Sequence, residues 1–301
     1  MVKVVVVGST ALDSIRTPFG KVERVLGGSA TYASYASSFF SKTGIVGVVG
    51  TDFPKEFESL LEKKGIDMQG FSRAKGKTFF WEGFYEFDMN QAHTVKTELN
   101  VFADFNPVLP ESYRSADFLF LGNISPRLQL AVLGQMKKRP KLVVSDTMNF
   151  YIEREPQNVL EVVKEVDIAL MNDSEARQLF QTPSLVVAAK KILELDSKFA
   201  IIKKGEHGCV MFTDKSHFAV PGYPLEKIVD PTGCGDCFAG ALVGYLAKKG
   251  KVTEKEVRRA MIFASSTASI NAGGFSLDAL KKTNYLDIEK RAKEFREFVK
   301  F

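Results

Sequence analysis

Six short apolar runs, separated by segments with helical periodicity, most constrain how this chain can fold. The runs are nearly continuous in Val, Ile, Leu and Phe, which is typical of strands buried on both faces. Such strands occur in parallel sheets whose two faces are covered by helices. The alternation therefore predicts an α/β fold with a mostly parallel central sheet and helices on both faces. The predicted strands are residues 2–8, 44–50, 118–122, 142–146, 168–171 and 199–204.

The segments between the runs carry apolar residues at helical spacing. In residues 51–65, one apolar stripe predicts a helix that Asp52 caps at its N-terminus and Gly65 ends. A second stripe near the C-terminus predicts a final amphipathic helix, so the helical pattern continues to the end of the chain. Its members are Ile288, Ala292, Phe295 and Val299.

Two segments, residues 14–28 and 71–99, lack helical periodicity. The second contains the only Trp, Trp81, and is rich in β-branched and aromatic residues with turn signals, which predicts antiparallel strands. Insertions of this kind often form lids over binding clefts. We therefore predict a small β lid that covers a cleft or meets another chain. The alternative is a solvent-side sheet that closes the edge of the core.

Composition and charge restrict the class of protein. The 301 residues, 45% hydrophobic and 26% charged, suffice for one large α/β domain or two smaller ones. The formal net charge of +5 is diffuse, so we expect neither nucleic acid nor a membrane surface as a partner. No run is long enough to span a bilayer, and we recognise no signal peptide. The three cysteines, an odd number, argue against a disulfide framework and for a cytoplasmic location.

Residues 229–249, VDPTGCGDCFAGALVGYLAKK, place small residues directly before an acidic side chain and a helix. Gly233, Cys234 and Gly235 let backbone N–H groups approach an anion closely, and the following helix adds the positive end of its dipole. Asp236 is the unusual member, because an anion site has no need of a carboxylate unless that carboxylate accepts a proton. Two interpretations remain open at this point: a capped helix with an acidic first turn, or a phosphoryl site with a base beside it.

The segment DPTGCGD (230–236) resembles the D-x-T-G-A-G-D signature of the ribokinase-like, or PfkB, family of carbohydrate and nucleoside kinases. Other segments resemble family motifs in the family's order, over nearly the whole chain. They are GSTALD (8–13), GGSATYAS (27–34), NDSE (172–175) and KKGEHG (203–208). The resemblance implies a ribokinase-like three-layer sandwich with a small β lid, formed by residues 1–301 as one kinase domain.

The resemblance also implies roles for individual residues. Asp236 would be the catalytic base that activates a primary hydroxyl, and the N–H groups of Gly233, Cys234 and Gly235 would form the anion hole. Glu175 would organise hydrated Mg²⁺, and Asp230 is a candidate for a monovalent-cation site such as one for K⁺. The predicted substrate-binding residues include Asp13, Gly27 and Gly28. The predicted ATP-binding residues are Asn172, Lys203, Gly205, Gly208, Ser265 and Asn271.

Two positions add to this set or depart from it. Tyr32 stands where the family commonly has an Asn that touches sugar hydroxyls, so it could stack on the substrate or simply fill the core. Asn123 follows the strand at 118–122 and is predicted to bind substrate, with Asp146 and Asn149 as further pocket candidates. Each of the three could instead be a turn residue.

The resulting hypothesis is a kinase that uses ATP and Mg²⁺ to phosphorylate a primary hydroxyl of a sugar or sugar-like small molecule. A nucleoside kinase is the alternative, and a non-catalytic ligand-binding homologue is a third possibility. A phosphorylated sugar would require cations, for which Arg73, Lys75, Lys77 and Lys96 are available. A dinucleotide-dependent oxidoreductase lacks support, since GSTALD replaces a G-x-G-x-x-G turn. The family's lid often also pairs two subunits, which makes a homodimer through the lid possible.

Overall fold

The computed structural model describes residues 2–298, so Val299 of the predicted C-terminal stripe lies outside the described residues. In chain order the strands are β1 (Val4–Val7), β2 (Ala11–Thr17), β3 (Gly20–Gly27), β4 (Thr43–Val49), β5 (Asp67–Arg73), β6 (Phe79–Tyr85), β7 (Ala92–Glu98), β8 (Phe118–Leu121), β9 (Leu142–Ser145), β10 (Ile168–Asn172), β11 (Phe199–Lys203), β12 (Cys209–Phe212) and β13 (His217–Val220). The helices are α1 (Ser29–Ser38), α2 (Lys55–Lys63), α3 (Pro126–Gly134), α4 (Asn149–Arg154), α5 (Pro156–Glu165), α6 (Asp173–Phe180), α7 (Leu185–Leu193), α8 (Cys234–Lys249), α9 (Glu254–Asn271), α10 (Asp278–Lys281) and α11 (Tyr285–Phe298).

The larger sheet of the described chain has nine strands in the order β13-β12-β11-β10-β9-β8-β1-β4-β5. Every pair from β5 to β11 is parallel, and only β12 and β13 are antiparallel to their neighbours. All six predicted strands lie in the parallel part. The prediction of an α/β fold with a mostly parallel sheet is confirmed.

Helices cover both faces of this sheet. Side chains of a strand alternate between faces, and in β1 Val4 and Val6 join a core with α1, α8 and α9. Val5 and Val7 face the opposite core, which includes residues of α3, α5, α6 and α7. This two-sided burial is the reason that the strand reads as a continuous apolar run. Within the described residues, no helix combines the length and apolar character that crossing a membrane requires.

A second, four-stranded sheet has the order β3-β2-β6-β7, and we call it the lid. The lid differs from the sequence prediction in two respects. Residues 71–73, predicted as part of the lid, belong to β5 at the edge of the central sheet, where partial exposure makes the strand polar. The outer pairs of the lid are antiparallel as expected, but β2 and β6 at its centre are parallel.

Asp52 was predicted to cap α2, and this prediction is wrong. The N-cap of α2 is Pro54, while Asp52 Oδ1 accepts hydrogen bonds from the N–H and the hydroxyl of Thr78, both at 2.7 Å. Asp52 Oδ2 accepts from Arg24 Nη2 at 2.8 Å. Because Thr78 precedes β6 and Arg24 lies in β3, the carboxylate joins the central sheet to the lid.

Helices α1 and α8 approach each other closely at two glycines of α8. A Cβ at Gly240 would lie 2.0 Å from the carbonyl oxygen of Ala33, and one at Gly244 would lie 2.7 Å from that of Ser37. Both contacts are with backbone, which cannot move aside as a side chain can. The glycines thus set the distance of α8 from α1, and with it the position of the N-terminus of α8.

We expect Gly240→Ala to destabilise the protein by about 1–3 kcal/mol, because the added methyl group overpacks a rigid contact. The matched control is Gly134→Ala at the end of α3, where an added Cβ meets nothing within 4 Å. That change should be neutral or stabilising by up to about 1 kcal/mol. Urea unfolding of both variants measures the difference, and equal losses of stability would contradict the packing argument.

Candidate active site

The N-terminus of α8 lies at the edge where the parallel strands end, and it begins with a strained turn. Gly233 is the N-cap with φ of 74°, in the left-handed region that favours glycine. A Cβ there would lie 2.5 Å from the ring of Tyr32, so space and conformation both require glycine. The N–H of Cys234 donates to the carbonyl of Pro231 at 3.1 Å, which removes one of the three predicted anion-hole donors. The N–H of Gly235, in the first turn, remains a donor without an intrahelical partner, whereas the Asp236 N–H interacts with the carboxyl of its own residue.

Asp236 lies in this first turn and is half-buried. Its Oδ1 has no hydrogen-bond partner among the described residues. Burial raises the pKa of the carboxyl to about 7, the nearby charge of Asp146 raises it further, and Lys203 opposes the shift. The carboxylate therefore has a free oxygen and a proton affinity suited to accepting a proton near neutral pH.

A buried ion pair stands beside this turn. Lys203 Nζ, at the end of β11, lies 2.5 Å from Asp146 Oδ2, directly after β9. A Cβ built on Gly235 would lie 3.3 Å from the same Nζ. The ammonium group therefore faces the backbone that an anion would approach. Lys203 is one of the residues for which the family resemblance predicts ATP binding.

Asp13 and the glycine pair form a second polar feature, on the lid side. The Asp13 side chain is 4% exposed, and a Cβ at Gly27 would lie 1.9 Å from its Oδ2. Gly28 has φ of 93° and packs against the backbone of Ser9 and Thr10. Gly27 thus makes room for the carboxylate, while Gly28 allows the close approach of the two backbone segments. Burial raises the pKa of Asp13 to about 8, with Asp230 and Asp236 adding to the shift and the Gly28 N–H opposing it.

Asp230 and Asn271 are fully buried below the turn. Asp230 Oδ1 accepts from the Thr232 N–H at 2.9 Å, and Asn271 Nδ2 donates to the Thr232 carbonyl at 2.9 Å. Asp230 Oδ2 and Asn271 Oδ1 have no partner among the described residues. Asn271 Nδ2 also lies 3.6 Å from Cys234 Sγ, and burial raises the pKa of that thiol to about 12, which makes it a poor nucleophile.

Asn172 and Glu175 form a capping box at the start of α6. Asn172 Oδ1 accepts from the Glu175 N–H at 2.8 Å, and Glu175 Oε2 accepts from the Asn172 N–H at 2.7 Å. Burial raises the pKa of Glu175 to about 8, Lys203 opposes this, and Asp146 adds to it. Glu175, predicted to organise Mg²⁺, therefore also stabilises the N-terminus of α6 together with Asn172. No group of three or more His, Cys, Asp or Glu within residues 2–298 is arranged to hold a metal ion.

The lid reaches the same edge at two points. The Tyr85 hydroxyl, at the end of β6, lies 3.3 Å from Thr232 Oγ1, and burial raises the pKa of Tyr85 well above its usual range. Asn90, in the loop after β6, donates to Glu206 Oε1 at 3.1 Å. Glu206 belongs to the turn between Gly205 and Gly208, both with positive φ, which was predicted to face the nucleotide. The lid thus closes over the predicted site.

Comparison with known proteins supplies the family. The sequence profile of the pfkB family of carbohydrate kinases matches residues 1–283. The chain belongs to the pfkB family. It is 31% identical to the cytidine kinase of Thermococcus kodakarensis over 264 residues, which are 86% of this chain and 93% of that one. It is 26% identical to fructokinase-2 of Solanum lycopersicum, covering 80% of this chain and 78% of the relative.

The fold of the pfkB kinase agrees with this assignment. A protein from E. coli described as a ribokinase II, solved in complex with ATP and Mg²⁺, superposes with a TM-score of 0.80 at 17% identity. The match covers 98% of this chain and all of that one. The ribokinase-like fold and the assignment to the sugar and nucleoside kinases are therefore confirmed. The roles of single residues stay predictions.

The remaining residues that were predicted to lie in the site of the pfkB kinase have different surroundings. Tyr32 is 1% exposed and its ring packs on Gly233, so of its two interpretations the structure favours core filling over substrate stacking. Asn123 Oδ1 is buried without a partner among the described residues. Ser265 Oγ lies 3.8 Å from Cys209 Sγ. Asn149 begins α4 and donates to Gln178 Oε1 at 2.5 Å, a contact that joins α4 to α6.

The sequence prediction missed two features of the site, Tyr85 and the Lys203–Asp146 pair, and it considered Arg73 for a role that its contacts do not support. Tyr85 was counted only among the aromatics of the lid, and the pairing of Lys203 with Asp146 was not foreseen. A signal existed for the pair, since both residues follow predicted parallel strands. Arg73, considered for a phosphorylated sugar, instead donates to the carbonyls of Gly50 and Phe53 and pairs with Glu58.

The raised pKa of Asp13 predicts a pH-dependent effect of Asp13→Asn on stability. The pKa in the folded protein, about 8, lies above the ordinary value of 3.8 for an aspartate. The folded protein thus binds more protons than the unfolded chain between these values, and Asp13 lowers the stability as the pH rises through this window. Since Asn mimics the neutral carboxyl, the melting temperature of the variant relative to wild type should be higher at pH 8 than at pH 5.

Asp117→Asn is the matched control. Lys141 and Lys138 hold the pKa of Asp117 below its usual value, so Asp117 is ionised in the folded and the unfolded protein at both pH 5 and pH 8. Its removal should shift the melting temperature by the same amount at the two pH values. A pH-independent effect of Asp13→Asn would show that the carboxyl is ionised in the folded protein throughout.

Proposed function

We propose that this pfkB kinase transfers the γ-phosphate of ATP to a primary hydroxyl of a nucleoside, with Asp236 as the general base. The observation that carries the proposal is the half-buried carboxylate with an unpartnered oxygen, standing at the positive end of α8. Pure ligand binding has no need of a base at this point, whereas a hydroxyl that attacks phosphorus must lose its proton. With a pKa of about 7, the carboxylate suits that transfer near neutral pH.

The transferred group is negatively charged, and three features of the chain favour it. The first-turn N–H group of Gly235 can donate to its oxygens, and the dipole of α8 adds positive potential. The Lys203 ammonium adds a full charge at the same place. Donors that are fixed before the reaction stabilise developing charge without reorganisation.

The acceptor would lie between the lid and the central sheet. Asp13, placed over Gly27, is suited to accept hydrogen bonds from acceptor hydroxyls and so to orient the reacting one toward Asp236. The contact of Tyr85 with Thr232 keeps the lid over this region. A closed lid excludes water that would otherwise compete with the acceptor for the phosphoryl group.

The residues also fit the cofactors that the family implies. Mg²⁺, when bound with ATP, neutralises phosphate charge, and a ribokinase II relative was solved with both. Glu175 would hold it through water, because its Oε2 already accepts from Asn172. Asp230 and Asn271 each carry a buried oxygen without a donor, which suits a monovalent cation such as K⁺.

A nucleoside is the first candidate for the acceptor because the cytidine kinase relative is 31% identical and matched over 93% of its length. A sugar such as fructose is the second, since fructokinase-2 is 26% identical over 78% of its length. Three free thiols support a reducing compartment such as the cytoplasm.

The lid also has a surface that could pair two subunits. Phe19, Phe87 and Val95 are exposed on its strands and loops, and contiguous apolar exposure often marks an interface. We include a lid-mediated homodimer in the proposal on this basis. Sedimentation of the whole chain as a monomer would remove it.

Asp236→Asn should lower kcat by about 10²- to 10⁴-fold, because the base is lost while the side-chain volume is kept. The wild-type kcat/KM should rise with pH to about pH 7, where Asp236 becomes ionised, and level off above it. Asp214→Asn, in the exposed turn between β12 and β13, controls for the substitution itself. Near-normal turnover of the Asp236 variant would refute the assignment of the base.

ADP release over a panel of nucleosides and sugars tests the acceptor. We expect the highest kcat/KM with cytidine or a related nucleoside and weaker activity with fructose. The same assays with K⁺ replaced by Li⁺ should lose activity if the oxygens of Asp230 and Asn271 bind a monovalent cation. A clear preference for a sugar would reverse the order of the two candidates.

A further inference from the structure

The carboxylate that pairs with Lys203 is unusually well fixed. Asp146 Oδ1 accepts from the Thr147 N–H at 3.1 Å, and Oδ2 binds the ammonium, so both oxygens are engaged. The Asp146 backbone donates to the Leu121 carbonyl and accepts from Gln129 Nε2, each at 3.0 Å. Gln129 in turn donates to the carbonyls that end β8. The carboxylate is therefore held by two neighbouring strands and one buried amide.

The ammonium that it holds belongs to a flexible side chain. A lysine has four rotatable bonds and a mobile charge unless something fixes the terminal group. In this structure the Lys203 side chain is 16% exposed and that of Asp146 is 1% exposed. The pair is thus shielded from competing water, and the position of the charge is set during folding rather than during binding.

A second carboxylate–lysine pair at the opposite edge of the same strands shows what is special about the first. Asp167 precedes β10, accepts from the Val143 N–H at 2.9 Å and binds Lys198 Nζ at 2.8 Å. Its carboxylate is 4% exposed, but the Lys198 side chain is 66% exposed. That ammonium lies in solvent, whereas the Lys203 ammonium faces Gly235 and is electrostatically coupled to Asp236 and Glu175.

Stability alone does not account for the first pair. A buried ion pair contributes little net stability, since the cost of removing both charges from water offsets their attraction. The Lys203 ammonium of the pair instead faces the proposed site, where phosphoryl transfer requires a fixed positive charge. A misplacement of about 1 Å at such a point can lower a rate by about 100-fold.

We infer that Asp146 is a positioning residue for phosphoryl transfer: it anchors the Lys203 ammonium beside Gly235, so that this cation is in place for the oxygens of the transferred group. The inference rests on the proposed function of this site. In this arrangement Asp146 contacts Lys203 rather than a substrate. Its charge also raises the pKa of Asp236, so kcat of Asp146→Asn is compared with wild type across the pH range, where a change in the base alone would only shift the profile.

The test compares Asp146→Asn with Asp167→Asn, the matched loss of a buried carboxylate at the other edge. Asp146→Asn should lower kcat at saturating ATP and acceptor at least about tenfold, while Asp167→Asn should leave kcat within about twofold of wild type. Both should lower the melting temperature. Lys203→Met should lower kcat by a similar factor, and the double variant Asp146→Asn/Lys203→Met should lose no more than the larger single effect, since the two residues act as one unit.

A readout without nucleotide is the Nζ signal of Lys203 in lysine-labelled protein, assigned by its loss in Lys203→Met. A shielded, paired ammonium exchanges slowly with water, so the signal should persist at neutral pH, disappear in Asp146→Asn and remain in Asp167→Asn.

Three results would overturn the inference. The first is an unchanged or raised kcat in Asp146→Asn, which would make the carboxylate a competitor of the phosphates for Lys203. The second is an equal loss of kcat in both Asp variants, which would indicate a structural effect. The third is an Nζ signal unaffected by Asp146→Asn. Failure of the proposed function looks different, because the wild-type protein would then phosphorylate no member of the acceptor panel.

Discussion

An excess of buried negative charge at the start of α8 is the constraint on which the rest of this structure depends. Burial raises the pKa of Asp13, Asp230 and Asp236, and the charges of Asp230 and Asp236 raise that of Asp13 further. Lys203 opposes the shift at Asp236. Buried like charges destabilise a fold unless protons or cations compensate them. Carboxyls with strongly shifted pKa values that are grouped in this way are typical of functional sites, which supports the site proposed above.

Rigid backbone contacts, rather than adjustable side chains, hold these charged groups close together despite the free-energy cost. Gly240 and Gly244 seat α8 against the backbone of α1, and Gly233 seats the first turn on Tyr32. Gly27 similarly leaves space for the carboxylate of Asp13. Because these contacts leave no room for a side chain, the charged groups cannot relax apart. The small residues in the motifs are therefore explained by packing as much as by contact with a ligand.

How much of this could be read from the sequence depends on whether a feature is local. Strands such as β1 are apolar on both faces and reveal themselves by composition alone, and the turn before Asp236 is recognisable from its glycines. The prediction that Asp52 caps α2 was wrong because an acidic residue before a helix is a good cap. Thr78 and Arg24, which bind it instead, come close to Asp52 only in the folded chain. Residues 71–73 of β5 were wrongly assigned to the lid because an edge strand is half exposed, and its sequence is therefore as polar as that of a lid strand. The Lys203–Asp146 pair joins residues 57 positions apart. The only sequence signal for it is that both residues lie at the carboxyl ends of predicted parallel strands, which does not specify the partner.

The same cluster links acceptor binding to the strength of the base. With burial holding the pKa of Asp13 at about 8, the free enzyme keeps that carboxyl largely protonated near neutral pH. An acceptor hydroxyl that donates to Asp13 favours its ionised form. The new charge in turn favours protonation of Asp236, since the two carboxyls interact, and so makes Asp236 the stronger base. On the proposed mechanism, proton affinity at Asp236 is greatest when an acceptor is present, which disfavours the transfer of phosphate to water in its absence.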